Sequence, residues 1–474
     1  QPGEGEDWED VWDLVASSGD LLAGDVSGPD ESVDGEIALF DGTSGKDIKR
    51  ATTTGLLKAA SGVLAQAVSG TDYAPGTVTR VATGAVAMSV ANAALFFVTP
   101  EQFGAVGDGT TDDSAAFQKA LNALIAAGGG TLICSDKTYR IKANIAPNDV
   151  AGTESIAVIG CGPRSILDFS DAITVGLSLN STSTTVNPRP RFWFQSLRVI
   201  TSKKDAGTAI SVAYADGNYA HDSVSVHGVE IAQNVSRAAD GGSDYGYWSA
   251  GIVVTNARNA SITGLSVSGE MDLATDTAYG IRLLGASIGV RITDFRMIEC
   301  TTGISIEGTC EGIYLSDFEI VYCRYGVRMD IASGAEPVLM CKNGHFNTAN
   351  TGVWASNVVF LQITNCNFYA AAALDTGTWP DWYGILIDGS DSQQGTITGC
   401  TFSKEAGRTS DFTLAVYLAA GSGYTVSGNA FYGLSGNALT AAVTAASGVS
   451  NVTVTGNVYT NVSNRRSFSG ASDV

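Results

Sequence analysis

Two adjacent stretches, GIRLLGASIGVRITDFRMIECTT (280–302) and GISIEGTCEGIYLSDFEIVYCRY (303–325), superimpose with a shift of 23 residues. Under that shift Ile281 falls on Ile304, Leu283 on Ile306, Val290 on Ile313, Ile292 on Leu315, Phe295 on Phe318, Met297 on Ile320 and Cys300 on Cys323. Apolar residues alternate within each short run, the period of a strand, and recur in columns between runs. A unit this small cannot bury its apolar face alone; it does so only by stacking on the next one. The columns predict a parallel β-helix whose coils rise about 4.8 Å each. A leucine-rich repeat has a similar period, but its helical half and closely spaced leucines are missing.

Working outward, units start with a small residue at Gly251, Gly280, Gly303, Gly326, Gly352 and Gly384, spaced by 29, 23, 23, 26 and 32 residues, with later starts at Ala415 and Ala438. The unequal spacing marks loops that bulge from the stack, where function commonly sits on a rigid scaffold. Two such loops are rich in aromatics, DGGSDYGYW (240–248) and ALDTGTWPDWYG (373–384). Composition agrees with an all-β chain: 474 residues hold 56 Gly and only 16% charged residues.

The balance of 48 acidic to 27 basic residues gives a net charge of −21, which argues against nucleic acid or an anionic membrane as partner. Part of that charge sits in Glu4, Glu6, Asp7, Glu9, Asp10 and Asp13, so residues 1–36 are expected to be an acidic flexible segment. No stretch has the apolar length of a membrane span, and the acidic start lacks the basic region of a secretory signal. The eight cysteines show no metal-site spacing and are expected to be buried thiols acting as small apolar residues.

Residues 35–79 combine a strand, a turn at Asp41-Gly42, a second strand and a helical patch. The run GEIALFDGTSGK (35–46) resembles a hairpin that recurs in virion-proximal modules of phage tail fibres and tailspikes, which implies a virion-attachment module over 37–98. Further on, TPEQFGAVGDGTTDD (99–113) leads into a helix capped by Asp112 or Asp113, with Phe117, Leu121, Leu124 and Ile125 on one stripe. Gly128 to Gly130 end that helix, and strands follow at 131–134 and 139–141.

The pattern FGAVGDGTTDD…AFQKAL…GGGTL…Y resembles the opening segment of pectate-lyase-like β-helix proteins, phage tailspikes among them. That resemblance implies a right-handed, single-stranded parallel β-helix, with a capping helix and entrance over 99–170 and a body over 171–474. It also implies a homotrimeric virion protein, assembled in the host cytoplasm, that attaches to other tail or baseplate proteins through residues 1–98. Its job would be to recognise and depolymerise bacterial surface polysaccharide. A non-catalytic virion spike and a free bacterial polysaccharide lyase or hydrolase are the alternatives.

Aromatic faces suit sugar rings, so Tyr245, Tyr247, Trp248, Trp379, Trp382 and Tyr383 are the candidate substrate platforms. The three histidines, His221, His227 and His345, build no nucleophilic triad, and carboxylates remain for acid/base work, with endo-hydrolysis favoured over elimination. The candidate acids are Asp294, Glu299, Asp317 and Glu319. Asp294 and Asp317 share a column one coil apart, and Arg296 and Glu319 share another. Asp294 and Asp317 precede Asn343 and Asn365 in comparable turns, which reads equally well as a polar corner. If the pair is shared between subunits, Glu230, Asp381 and Asp388 are the next acids in line. The calcium-binding acids and basic residue of pectate lyases map onto no set of positions here, so no metal or cofactor is expected.

Overall fold

The computed structural model describes residues 97–171, 173–183, 190–215, 223–234, 246–269, 278–332, 337–370, 372, 381–408, 412–435 and 437–469, and from the first 96 residues only six short strands. The 1–36 segment lies outside the described residues. The chain divides into two compact units, 1–92 and 93–474.

In the first unit Ala38–Asp41 pairs antiparallel with Asp47–Arg50, as the sequence of strand, turn and strand predicts. The helical patch does not form over 57–66. Leu57–Ala60 and Val63–Gln66 pair antiparallel instead. This cross-strand pairing overrides the modest helix preference of the alanines. Thr77–Val78 and Met88–Ser89 pair in the same sense.

The second unit winds through three parallel sheets. Sheet A runs from Val175–Ser181 to Val462–Phe468, sheet B from Gly129–Cys134 to Ser450–Thr455, and sheet C from Asp108–Asp112 to Val458–Thr460. One coil reads Tyr279–Leu284 in A, then Arg291–Ile298, which bends at Asp294 from B into C, then Thr302–Gly308 back in A. The 23-residue register holds: Ile281 faces Ile304, Leu283 faces Ile306, Ile292 faces Leu315, Phe295 faces Phe318 and Met297 faces Ile320. These columns fill the inside of a right-handed parallel β-helix. The strand stack begins at Phe97–Val98, which pairs parallel with Gly129–Cys134, well before the first unit start legible in the sequence, Gly251.

The small residues at the coil starts have a packing reason. A Cβ on Gly352 would meet the Gly384 carbonyl oxygen at 2.5 Å and the Phe368 ring at 2.6 Å, and Gly326 and Gly384 face Phe346 and Phe402 in the same way. Across from that column the rings of Phe346, Phe368, Phe402, Phe431 and Tyr459 stack at centroid distances of 4.7, 4.8, 5.0 and 5.4 Å. Sheet A thus yields the volume that the aromatics on sheet C occupy, and each buried ring contributes about 2–3 kcal/mol. The column continues through Ala415 to Ala442, because Val416 faces Val443. The expected start at Ala438 is therefore displaced by four positions, since Ala438 precedes its strand, Leu439–Ala445.

The passage from sheet B to sheet C is the tightest of the three. A single left-handed residue makes it, with φ of 51° at Asp294, 56° at Asp317, 55° at Asn343 and 53° at Asn365, and glycines at 228, 264, 399, 428 and 456. Asp, Asn and Gly are the residues that tolerate this conformation. Just inside the corner, Asn429 is buried. Its Oδ1 accepts from the Cys400 N–H at 2.8 Å and its Nδ2 donates to the Ile397 carbonyl at 3.0 Å, so one side chain ties neighbouring coils. Length variation falls on the other two passages, which flank sheet A. Residues 234–249, 269–278, 371–380 and 405–411 lie between C and A strands, and 182–191, 215–223 and 332–337 between A and B strands.

A helix, α1 (Ser114–Ala126), packs on the first strand of sheet B with Phe117, Leu121 and Leu124 buried and Ile125 partly so. Of the two candidate caps, Asp112 Oδ1 accepts from the Ser114 N–H at 3.0 Å, while Asp113 turns back to the N–H groups of Val106 and Gly107. All eight cysteines are free thiols and seven are buried, Cys161 alone being exposed. Among the described residues no helix is long and apolar enough to cross a membrane.

Candidate functional site

The sequence-predicted acids separate into two places. Asp294, Arg296, Asp317 and Glu319 line one shallow groove of about 410 Å³ on the outside of sheet C, with Ser266 and Phe318. Glu319 and Phe318 also border a second hollow of about 560 Å³ with Asn343, His345, Asn365 and Asn367. Glu299 stands at the other end of the Phe295–Ile298 run, about 16 Å along an extended strand from Asp294. It is left-handed and half-buried, and burial raises its pKa above the ordinary carboxylate value.

Within the groove Asp317 accepts a hydrogen bond from Asn343 Nδ2 at 3.0 Å, which lowers its pKa and keeps it ionised. Arg296 Nε lies 3.1 Å from Glu319 Oε2, both side chains 56% exposed, so this ion pair is worth about 0–1 kcal/mol. His345 stacks in register on Glu319, and its Nδ1 sits 3.1 Å from Asn367 Nδ2. Burial lowers the His345 pKa against the opposing pull of Glu319. Neither His345 nor Arg296 was among the sequence-predicted catalytic residues, although Arg296 was visible as a column partner of Glu319.

The aromatic platforms are corrected in three cases. Tyr247, Trp248 and Trp382 are buried, at 6%, 2% and 0% exposure. Trp248 meets the Phe169 ring edge-on at 5.8 Å, and Trp382 donates its indole N–H to Thr348 Oγ1 at 3.3 Å. These large rings terminate loops by anchoring them in the core, where burial outweighs any surface role. Tyr245 and Trp379 lie outside the described residues. Tyr383 is half-exposed on sheet A, stacked on Tyr417 at 5.8 Å, and burial, with the charge of Asp381, pushes its hydroxyl pKa up to about 12.

Tyr383 belongs to a richer surface. The outer face of sheet A carries, coil after coil, Arg282, Ser305, Arg328, Trp354, Leu386 and Tyr417 in one column. Beside it runs Glu307, Asp330, Ser356 and Asp388. The Arg328 guanidinium lies 4.5 Å from the Trp354 ring centroid, Tyr325 lies 5.9 Å from Trp354, and the Trp354 indole donates to Asp388 Oδ2 at 3.1 Å. Arg282 Nη2 contacts both carboxylate oxygens of Glu307 at 3.0 Å. The result is a flat strip of half-exposed rings and polar groups, flanked on both sides by the variable passages. The signal for it was present in the sequence as the residue two positions after each coil-start glycine and one after the inward Ile or Val: Arg282 follows Ile281, Arg328 follows Val327 and Trp354 follows Val353. Among the described residues no group of three or more His, Cys, Asp or Glu is placed to hold a metal ion.

Comparison with known proteins places this geometry in a family. A family described as "Right handed beta helix region" matches residues 250–431, and one described as "Rhamnogalacturonase A/epimerase, pectate lyase-like" matches residues 97–328. The mannuronan C5-epimerase AlgE3 of Azotobacter vinelandii is 42% identical over 64 residues, a stretch that spans 13% of this chain and 4% of that protein. Among solved structures, the DFA-IIIase of Arthrobacter chlorophenolicus A6 superimposes with a TM-score of 0.51 at 12% identity, covering 77% of this chain and 98% of that one. Tailspike protein 3 of bacteriophage CBA120 gives 0.47 at 14% identity, covering 94% and 74%. Between them the two matches span residues 97–431, and the chain carries the right-handed parallel β-helix fold that they describe.

Proposed function

We propose that this chain is a virion spike that binds bacterial surface polysaccharide along the outer face of sheet A and depolymerises it. The observation that carries the reading is the strip of Tyr325, Arg328, Trp354, Tyr383 and Tyr417, which offers ring faces and hydrogen-bonding groups at coil spacing. Coils about 4.8 Å apart match the advance of a sugar chain roughly one residue per coil, and sugars stack on aromatic faces while polar groups take their hydroxyls. The acids of the neighbouring column, Glu307, Asp330 and Asp388, stand beside those rings and would supply the two carboxylates that glycoside hydrolysis needs.

A second placement of the acids is favoured by Asp317, which Asn343 keeps ionised beside Glu319 in the sheet C groove. On that placement Asp294, Asp317 and Glu319 act, and Asp317 suits a nucleophile or base rather than a proton donor. A homotrimer attached to the virion through residues 1–98 completes the proposal, and it draws on the tail-fibre-like run 35–46. Incubating the protein with purified capsule or lipopolysaccharide, and sizing the products, tests it. Shortened oligosaccharides without an unsaturated uronate chromophore are expected. Binding without shortening would leave a non-catalytic spike, and the absence of both binding and shortening would refute the proposal.

A further inference from the structure

The sheet A strip is not merely polar; its charges are already matched within the protein. Glu307 contacts Arg282 through both carboxylate oxygens, and Asp330 lies 3.5 Å from Arg328, whose guanidinium is laid over the Trp354 ring. No arginine of this column is left over to balance an anionic ligand. Asp388 goes further: one oxygen accepts from the Trp354 indole, while Oδ1 is buried and has no hydrogen-bond partner among the described residues. The other oxygen faces away from the ligand, so the Asp388 carboxylate adds no cation to the strip, and a ligand that brings another carboxylate beside it is penalised. The chain as a whole carries −21.

We infer that the sheet A face selects neutral, hydroxyl- or acetamido-bearing glycan chains and rejects polyuronates. The inference rests on the proposal that this face is the saccharide site, and names the substrate class it takes. The selecting elements are Glu307 and Asp330, which occupy the arginines, and Asp388, a further carboxylate beside the Trp354 ring.

Affinity electrophoresis of the full chain through gels containing alginate or polygalacturonate tests the inference, with wild type, the double variant Glu307→Gln/Asp330→Asn, and the same double variant carrying Trp354→Ala. Wild type should run unretarded. The double variant, with Arg282 and Arg328 released, should be retarded at least about threefold in low salt and lose that retardation in high salt. Adding Trp354→Ala should abolish the gain. Retardation of wild type by a polyuronate would overturn the neutral class while leaving the face as a saccharide site. Failure of the double variant to gain retardation, its circular dichroism being native, would overturn the charge-matching argument. A gain that survives Trp354→Ala would show that the ligand binds elsewhere and would overturn the sheet A reading itself. Dissociation of the assembly on Trp354→Ala, read by sedimentation, would make the face a contact between copies and overturn both.

Discussion

Trp354 and Asp388, on adjacent coils of sheet A, are joined by an indole N–H donated to the Asp388 carboxylate at 3.1 Å. The bond orients the ring across the strand direction, so that its face meets Arg328 on one coil and its edge holds an acid on the next. A ring fixed in this way presents a platform with little entropy left to lose on binding, which is what a stacking site requires.

The inner glycine column is predicted to be intolerant. Gly352→Val places a branched side chain where even a Cβ would meet the Phe368 ring at 2.6 Å, and overpacking of this kind costs about 1–3 kcal/mol. Thermal unfolding should shift downward. A simultaneous Phe368→Leu should recover part of the loss, since the two positions share one volume.

Asn429→Ala should destabilise by about 2 kcal/mol or more, because it leaves the Cys400 N–H and the Ile397 carbonyl buried without their partner. Asn429→Asp keeps the acceptor and loses the donor. Denaturant melts should therefore rank wild type above the aspartate and alanine variants.

Glu299 gives a pH-dependent prediction. Burial raises its pKa in the folded state above the ordinary 4.5, so the folded form holds a proton that the unfolded chain has released. Stability is lost as pH rises from the ordinary value through the raised one, and the penalty persists above that window. Glu299→Gln removes it. The variant should melt higher than wild type at about pH 7, and the gap should close at about pH 4. An equal gap at both pH values would contradict this account.

The two placements of the acids are separable by amide replacement. Asp294→Asn and Asp317→Asn keep the left-handed corner, because asparagine already serves there at positions 343 and 365, so any loss they cause is chemical. If sheet A carries the reaction, Glu307→Gln, Asp330→Asn or Asp388→Asn should lower turnover at least about a hundredfold, and Asp317→Asn and Glu319→Gln should not. The reverse pattern would move the reaction to sheet C.

The fold was legible because its determinants are periodic: an inward column repeats at every coil, and Ile281 over Ile304 needs no tertiary knowledge to be seen. The pairing of Leu57–Ala60 with Val63–Gln66 was not legible because the alanines there carry only a weak helix preference, which cross-strand pairing overrides. The site was less legible for a different reason. Trp248 and Trp382 look like surface aromatics by their loop context, yet they close the core at loop ends, and nothing in a single chain of letters distinguishes a ring that anchors from one that displays. Asp294 and Asp317 were correctly placed in one column, but the left-handed corner explains aspartate there without chemistry. Arg328 and Trp354 were overlooked because outward positions vary freely from coil to coil, and their pairing emerges only across the register.

If the outer face of sheet A binds the polysaccharide, Trp354 carries a large share of the affinity. Calorimetric titration of the full chain with a panel of purified bacterial surface polysaccharides, comparing wild type with Trp354→Ala of unchanged melting temperature, tests it most directly. A loss of affinity of at least about tenfold, equivalent to about 1.4 kcal/mol, is expected for every polysaccharide that the wild type binds. Undiminished affinity in the Trp354→Ala variant would contradict it.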